Sequence, residues 1–146
     1  FKREITYERT MAGNNFRIPK FSIGIDMEMI ERFEKLSPEL HKRQLNRIFT
    51  PNELNFCFSK IDPAPCLCGR FCAKEAIIKA FSSIDNSLIT FTDIEIIKKD
   101  EKGPTAHIIG KQFSPDFLEK IEIKVSISHT AQAAVSNALI IYWCDL

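Results

Sequence analysis

The chain has 146 residues and a formal net charge of +1, and 45% of its residues are hydrophobic and 27% charged. This length and composition are typical of one globular domain with a sizeable core. The near-neutral charge argues against nucleic-acid binding, and the longest apolar run, residues 138–143, is too short to cross a membrane.

The first stretch, residues 1–17, has no sustained hydrophobic period. We predict that it is an extension ahead of a single domain at 18–146. Because the sequence starts with Phe1 instead of Met, the extension is equally consistent with a transit-peptide remnant, a linker or a vector-derived segment.

The five cysteines are an odd number, and Cys72 lies on the apolar side of a predicted helix. We predict reduced, mostly structural thiols in a reducing compartment. A zinc site is disfavoured because no paired C-x-x-C spacing occurs among the four that lie nearest in sequence, Cys57, Cys66, Cys68 and Cys72.

Two elements are predicted at the start of the domain. Residues 21–26 alternate apolar and polar side chains, which is typical of a half-buried strand, and Gly24 within it allows close approach of another backbone or a ligand. Asp26 is predicted at the end of this strand, where it either caps the next helix or points into a cleft. Residues 27–36 are predicted to form an amphipathic helix. Its inward residues are Met29, Ile30 and Phe33.

Two further helices are predicted before residue 60. The first begins at Ser37 and Pro38 and carries the most basic cluster of the chain, which is either a solvated face or a surface for an acidic partner. The cluster consists of His41, Lys42, Arg43 and Arg47. Residues 50–53 form a capping box with proline at the first helical position, and the second helix is predicted at 51–59.

Residues 69–81 form the stretch around which the rest of the chain is organised. At about 100° per residue, a helix here has an apolar arc and a polar arc. The apolar arc consists of Cys72, Ala73, Ala76, Ile77 and Ala80. The polar arc consists of Arg70, Lys74, Glu75 and Lys79. Glu75 and Lys79 are four residues apart, so the arc is either a solvated face with an ordinary ion pair or part of a functional site.

The last part of the chain is rich in strand patterns. Residues 91–98 and 105–109 are predicted as a hairpin joined by a turn at 99–104, and a short helix begins at 114–116. Residues 121–128 alternate clearly and lead into 128–130, Ser-His-Thr, after which 133–143 is predicted to return antiparallel.

The candidate chemistry lies in polar side chains at the ends of these elements. Two separated carboxylates, Asp26 and Glu75, suit Mg²⁺, which takes the rest of its shell from water and substrate phosphates. The donors suited to phosphate oxygens are Arg70, Lys74, Lys79 and His129. Together they favour transfer chemistry at a diphosphate.

A hydrolase that uses a serine with His129 is disfavoured. Ser126 and Ser128 lie three residues and one residue before the histidine on the same predicted strand, so the nucleophile–base hydrogen bond would be badly oriented. The chain also contains no G-x-S-x-G elbow.

Four segments, residues 24–32, 47–54, 70–80 and 126–129, resemble the holo-acyl-carrier-protein synthases in sequence and in order. These enzymes are the short, single-domain type of 4′-phosphopantetheinyl transferase, and the resemblance covers residues 22–141. It implies an α+β fold, an antiparallel sheet packed with helices, and a homotrimer with active sites at the subunit interfaces.

The resemblance also implies an activity. The family transfers 4′-phosphopantetheine from coenzyme A to a serine of apo acyl carrier protein with Mg²⁺, releases adenosine 3′,5′-bisphosphate and supports fatty acid biosynthesis. The implied location is the bacterial cytosol or, if the extension is a transit-peptide remnant, a plastid-like stroma. The alternative is a non-catalytic coenzyme A or nucleotide-binding domain, which predicts loss of a metal carboxylate or of the phosphate lysine. All three, Asp26, Glu75 and Lys79, are present.

Residue roles follow from the resemblance position by position. Asp26 and Glu75 would hold Mg²⁺, Lys79 would contact coenzyme A and neutralise the transferred phosphate, and the base for the carrier serine would be Glu75 or a metal-bound water. Further coenzyme A contacts would be Arg70, Pro104, His129 and Thr130. The docking site for the acidic carrier protein would include Arg32, Arg43 and Arg47.

Overall fold

The computed structural model describes residues 17–85, 88–98 and 103–145. Its strands are β1 (Arg17–Met29), β2 (Ile94–Ile97), β3 (Thr105–Ile108), β4 (Ile121–His129) and β5 (Ala133–Asp145). Its α-helices are α1 (Glu31–Glu34), α2 (Pro38–Ile48), α3 (Pro51–Phe58), α4 (Ala64–Phe81) and α5 (Pro115–Glu119). The strands form two antiparallel sheets in the orders β1-β5-β4 and β2-β3. The predicted α+β fold with an antiparallel sheet is confirmed. Nearly all of the predicted extension, and the tip of the predicted hairpin turn, lie outside the described residues.

The helix α4 is the centre of the fold, because β1, β4 and β5 all pack against it. The predicted apolar arc is buried, and the small side chains along it let the sheet approach closely. The closest approach is at Gly24, where an added Cβ would lie 2.0 Å from the carbonyl oxygen of Ala76. Glycine is therefore required at this position for the contact of β1 with α4, as its place in the strand predicted.

Two groups of buried side chains form the core along the two halves of α4. One contains Ile30, Phe33, Leu45, Phe49, Leu67 and Phe71. The other contains Ile77, Phe81, Ile94, Ile96, Phe113 and Ile140. Because a single helix contributes to both groups, its residues occupy fixed positions relative to the sheet and to the shorter helices.

The strand β1 is longer than the sequence pattern indicates. It continues through Asp26 to Met29, where it still pairs with β5, so the prediction of a strand ending at Asp26 and a helix over 27–36 is wrong. The ladder of backbone hydrogen bonds to β5 outweighs the helical period of this segment. The helix that remains is the short α1, in which Phe33 is buried as predicted.

The apolar side chains of β1 point away from α4. The two-residue period is confirmed, but Ser22 faces inward, where its hydroxyl donates to the carbonyl of Ala80 at 2.6 Å. The exposed fractions of the apolar residues run from 51% to 79%. These residues are Phe21, Ile23, Ile25, Met27 and Met29, which we call the β1 apolar face. The prediction that Met29 faces inward is therefore wrong.

Two of the cysteines form a disulfide, so the prediction that the thiols are reduced is wrong for this pair. Cys57 on α3 and Cys66 on α4 are bonded, with their Cα atoms 5.4 Å apart. The packing of α3 on the first turn of α4 brings them together, although they are nine positions apart in the sequence. Cys68 and Cys72 are buried free thiols, in agreement with a structural role.

The predicted helix starts at residues 37 and 50 are confirmed. Ser37 accepts a hydrogen bond from the backbone N–H of Leu40, and Thr50 with Glu53 forms the expected capping box. In the part of the chain that the structure describes, each helix is too short or too polar to span a bilayer.

Candidate functional site

The first half of the site is a cluster of carboxylates and lysine between β1 and α4. The Lys79 Nζ donates to Asp26 Oδ1 at 2.8 Å and to the carbonyl of Ile25 at 3.0 Å. Lys79 therefore forms its ion pair with a residue of β1. Glu75, the partner that the sequence predicted one turn earlier on α4, does not take part in this pair. The extended path of β1 explains this pairing, because it brings Asp26 alongside α4.

The electrostatics of this cluster come from burial, from the hydrogen bond between Lys79 and Asp26, and from the proximity of two carboxylates. Burial raises the pKa of Glu75, and the charge of Asp26 raises it further, while Lys79 and Arg32 oppose the shift. The hydrogen bond to Asp26 raises the pKa of Lys79. The two carboxylates lie close enough to repel each other, and a cation between them would relieve that repulsion.

The donor set of this cluster fits Mg²⁺. Among the described residues, no group of three or more His, Cys, Asp or Glu side chains could hold a metal by itself. Mg²⁺ does not need such a group, since it commonly uses one or two carboxylates and completes its octahedron with water and substrate phosphates. Asp26 and Glu75 provide that number of carboxylates and the hard oxygen atoms that Mg²⁺ prefers.

The second half of the site is a cleft of about 580 Å³ beside the first turns of α4. It brings together Arg70, Pro104 and His129, three residues that are far apart in sequence and that the resemblance assigned to one ligand. The other lining residues are Phe56, Lys60, Asp62, Pro65, Cys66, Gly69, Lys98, Gly103 and Ile127. The charges on its walls are mainly positive, so the cleft suits an anion.

Arg70 is a buried cation with unusual partners. Its side chain lies 4.5 Å from the ring centre of Phe56, and its Nη1 donates to the Cys66 sulfur at 3.0 Å. Its Nε is buried and has no hydrogen-bond partner within the described residues. Burial lowers the pKa of Arg70, opposed by the charge of Glu53. Buried polar groups are normally satisfied, so a buried guanidinium with an unused N–H indicates a place for an anionic ligand.

Lys74 is not part of the cleft, and its predicted place on an exposed polar arc is wrong. Its side chain is fully buried, and its Nζ lies 2.6 Å from Glu53 Oε2. The same nitrogen donates to the carbonyls of Ile48 at 2.8 Å and Phe91 at 2.9 Å. Burial lowers its pKa, opposed mainly by Glu53. With all three donors used internally, Lys74 supports the fold and has none left for a phosphate.

The strand end at His129 contributes one residue to the cleft. His129 is exposed and lines the cleft, whereas Thr130 is not among the lining residues. The Thr130 hydroxyl accepts hydrogen bonds from the N–H groups of Gln132 and Ala133, each at 3.2 Å. Thr130 therefore shapes the turn between β4 and β5, and its predicted ligand contact stays a prediction.

The three arginines predicted to dock a partner lie on two helices. Arg32 on α1 pairs with Glu28 and lies 5.1 Å from the ring centre of Phe71. Arg43 and Arg47 on α2 are exposed and line a separate shallow cleft of about 570 Å³.

Sequence reasoning missed most of the residues that line the cleft, among them Phe56, Lys60 and Lys98. Phe56 belongs to a helix whose pattern indicated only packing, and Lys98 lies at the end of a predicted hairpin strand. A local pattern carries no signal for them, because the cleft exists only where α3, the β2–β3 hairpin and β4 meet α4.

Comparison with known proteins identifies the family. The family model for the 4′-phosphopantetheinyl transferase superfamily matches residues 22–144. The holo-[acyl-carrier-protein] synthase of Aquifex aeolicus is 33% identical over 118 residues, which are 81% of this chain and 96% of that protein. The synthase of Halothermothrix orenii is 38% identical over 119 residues, 78% of this chain and 91% of that protein.

Solved structures agree with the sequence relatives. The holo-[acyl-carrier-protein] synthase of Helicobacter pylori, in complex with coenzyme A, is 31% identical with a TM-score of 0.64 and covers 81% of this chain and 98% of its own. The synthase of Bacillus anthracis, in complex with coenzyme A (3′,5′-ADP), is 26% identical with a TM-score of 0.63. The match covers 83% of this chain and 96% of that chain. The chain therefore belongs to the 4′-phosphopantetheinyl transferase superfamily and is a transferase of the holo-[acyl-carrier-protein] synthase type.

Proposed function

We propose that this protein transfers 4′-phosphopantetheine from coenzyme A to a serine of apo acyl carrier protein, in support of fatty acid biosynthesis. The observation that carries the proposal is Arg70, a buried cation with an unused N–H that lines a positively charged cleft together with Pro104 and His129. Coenzyme A carries phosphate groups on the 3′ and 5′ positions of its ribose, so it is an anion that suits the positive charges of this cleft. Relatives with this fold have been solved with coenzyme A.

The reacting diphosphate belongs at the carboxylate–lysine cluster. Asp26 and Glu75 are the residues that would hold Mg²⁺, and the metal supplies charge neutralisation at the phosphate oxygens when bound. Lys79 is held beside Asp26 by their 2.8 Å contact, so it is positioned to stabilise negative charge on the transferred phosphate. Glu75 is the candidate to accept the proton of the carrier serine.

The acidic carrier protein is expected to dock on basic residues outside the cleft. Arg43 and Arg47 are exposed on α2 and Arg32 is 58% exposed on α1, so all three are accessible to a partner. Opposite charges would steer the two proteins together, and binding would weaken as salt increases. The location that fits such a carrier is the bacterial cytosol or, if residues 1–17 are a transit-peptide remnant, a plastid-like stroma.

The experiment that tests the function is intact mass spectrometry of apo acyl carrier protein after incubation with the enzyme, coenzyme A and MgCl₂. We expect the carrier to gain one phosphopantetheine, and the gain to be abolished by EDTA. Asp26→Asn and Glu75→Gln are each expected to lower the rate at least about a hundredfold, since each removes one charged ligand. A carrier that stays unmodified while coenzyme A still binds would overturn the transferase proposal and favour a binding domain.

The β1 apolar face supports a homotrimer as the active form. Five large apolar side chains on one strand are more than half exposed, and such a face is stable in water when another subunit covers it. Replacing Ile23, 79% exposed, with lysine is expected to convert the trimer to monomer in light scattering coupled to size-exclusion chromatography. Leu40→Lys is the control, because Leu40 is 82% exposed on α2, away from this strand. A wild-type monomer, or an Ile23→Lys trimer, would contradict the proposal.

A further inference from the structure

The aromatic ring of Phe56 contacts two cations at the edge of the cleft. The Arg70 guanidinium carbon lies 4.5 Å from the ring centre, and the Lys60 Nζ lies 4.4 Å from the same centre. Both distances are within the range of a cation–π interaction. The interaction with Arg70 is the stronger candidate, since Arg70 is 7% exposed and a desolvated pair gains more than an exposed one.

The contact determines how Arg70 is oriented. A guanidinium is planar and its N–H groups all lie in that plane, and here its carbon lies over the ring, so the ring limits where the whole group can move. One edge group, Nη1, donates to the Cys66 sulfur, and the buried Nε has no partner among the described residues. A sulfur is a weak acceptor. The Phe56 ring is therefore the stronger of the two contacts that hold the Arg70 guanidinium.

The position of Phe56 is itself well determined. Phe56 lies on α3, and its neighbour Cys57 is bonded to Cys66 on α4, four residues before Arg70. The ring and the guanidinium thus belong to two helices that are covalently joined next to the contact. Their relative position is formed before any ligand arrives, which lowers the entropy lost on binding.

We propose that Phe56 is a positioning residue for Arg70: its ring holds the guanidinium in the orientation in which the unused N–H groups meet a phosphate of coenzyme A. The inference rests on the proposed function and deepens it, because it identifies what keeps the phosphate-binding cation in place. Phe56 acts through Arg70 and is not itself required to touch the reacting atoms.

The test compares Phe56→Leu, which removes the π face, with Phe56→Tyr, which keeps it. We expect Phe56→Leu to raise the KM for coenzyme A and the Kd for adenosine 3′,5′-bisphosphate about tenfold, and Phe56→Tyr to stay within about twofold of wild type. The kcat and the KM for the carrier protein are expected to stay within about twofold. The matched control is Phe58→Leu, because Phe58 is a half-buried phenylalanine on the same helix that lines a different groove.

A purely structural role for Phe56 predicts a different result. In that case Phe56→Leu would raise the KM for coenzyme A and the KM for the carrier protein together, or Phe58→Leu would raise the KM for coenzyme A as much as Phe56→Leu does. Either outcome would overturn the inference. The double variant Phe56→Leu with Arg70→Met adds a thermodynamic check. If Phe56 acts through Arg70, its replacement has little further effect once the guanidinium is gone, whereas fully additive effects would refute the coupling.

Fluorinated phenylalanines at position 56 test the inference if Phe56→Leu fails to fold. They keep the shape of the ring and weaken the negative potential of its face. The Kd for adenosine 3′,5′-bisphosphate should rise stepwise with the number of fluorine atoms, and a flat series would overturn the inference. A wild-type protein that binds adenosine 3′,5′-bisphosphate but transfers nothing would refute the proposed function and leave this inference standing.

Discussion

Replacing Arg70 with methionine is expected to raise the KM for coenzyme A about a hundredfold without lowering the free energy of unfolding. The loss of affinity follows from the removal of charge-assisted hydrogen bonds to phosphate, each of which contributes roughly 1.5–3 kcal/mol. Arg70 lines the cleft, and its one side-chain hydrogen bond within the described residues goes to the Cys66 sulfur, so it keeps donors for that contact.

The stability part of this prediction separates a binding role from a structural one. Burying a cation without a carboxylate in hydrogen-bond contact costs free energy in the ligand-free protein, and methionine removes that cost while it fills similar space. Replacing a binding residue of this kind leaves the free energy of unfolding unchanged or raises it, because burial of the charge is favourable only when the ligand is present. The measurement pairs steady-state kinetics with urea unfolding at equilibrium.

The control for Arg70→Met is Arg47→Met on α2. Arg47 is exposed and outside the cleft that Arg70 lines, so its replacement is expected to raise the KM for the carrier protein and leave the KM for coenzyme A unchanged. Arg70→Met should therefore change the KM for coenzyme A, and Arg47→Met the KM for the carrier protein. An Arg70→Met protein that is clearly less stable than wild type, with an unchanged KM for coenzyme A, would show that Arg70 serves the fold.

Replacing Glu53 with alanine is expected to lower the free energy of unfolding by about 3–5 kcal/mol, the range for breaking a buried ion pair by removing one partner. Glu53 and Lys74 are both fully buried. Glu53 also accepts hydrogen bonds from the backbone N–H groups of Thr50 and Ile96, at 2.8 and 2.7 Å. The variant therefore leaves a buried cation and two backbone donors without this acceptor, in a domain whose total stability is about 5–15 kcal/mol.

The control for Glu53→Ala is a solvent-exposed pair of the same kind. Glu122 and Lys124 lie 2.7 Å apart with side chains 47% and 66% exposed, and Glu122→Ala is expected to change stability by less than about 1 kcal/mol. A double-mutant cycle with Lys74→Met isolates the pair, and we expect a coupling of about 2 kcal/mol or more. Equal effects of Glu53→Ala and Glu122→Ala in urea unfolding would contradict the prediction.

Local patterns in the sequence predicted most of the helices and strands correctly. The capping box at residues 50–53, the cap at Ser37 and the alternation of 121–128 depend on neighbours within a few residues, and all three are present in the structure. The apolar arc of α4 is buried as predicted, because a 3.6-residue period directly determines which side chains share a face. The strand–helix boundary at Asp26 failed, since pairing with β5 is a contact between segments more than a hundred residues apart.

The candidate site divides in the same way. The sequence by itself determined the family and the residue types of the site, because the motifs around Asp26, Arg70 and Glu75 are short and ordered along the chain. Only the tertiary structure decided which cations line the cleft. Lys74 and Arg70 occupy the same predicted arc, yet Glu53 from another helix neutralises Lys74 inside the core, while Arg70 has no such carboxylate in contact among the described residues. A helical period predicts on which side of the helix a side chain lies. The residue that it contacts on that side depends on how distant segments of the chain pack.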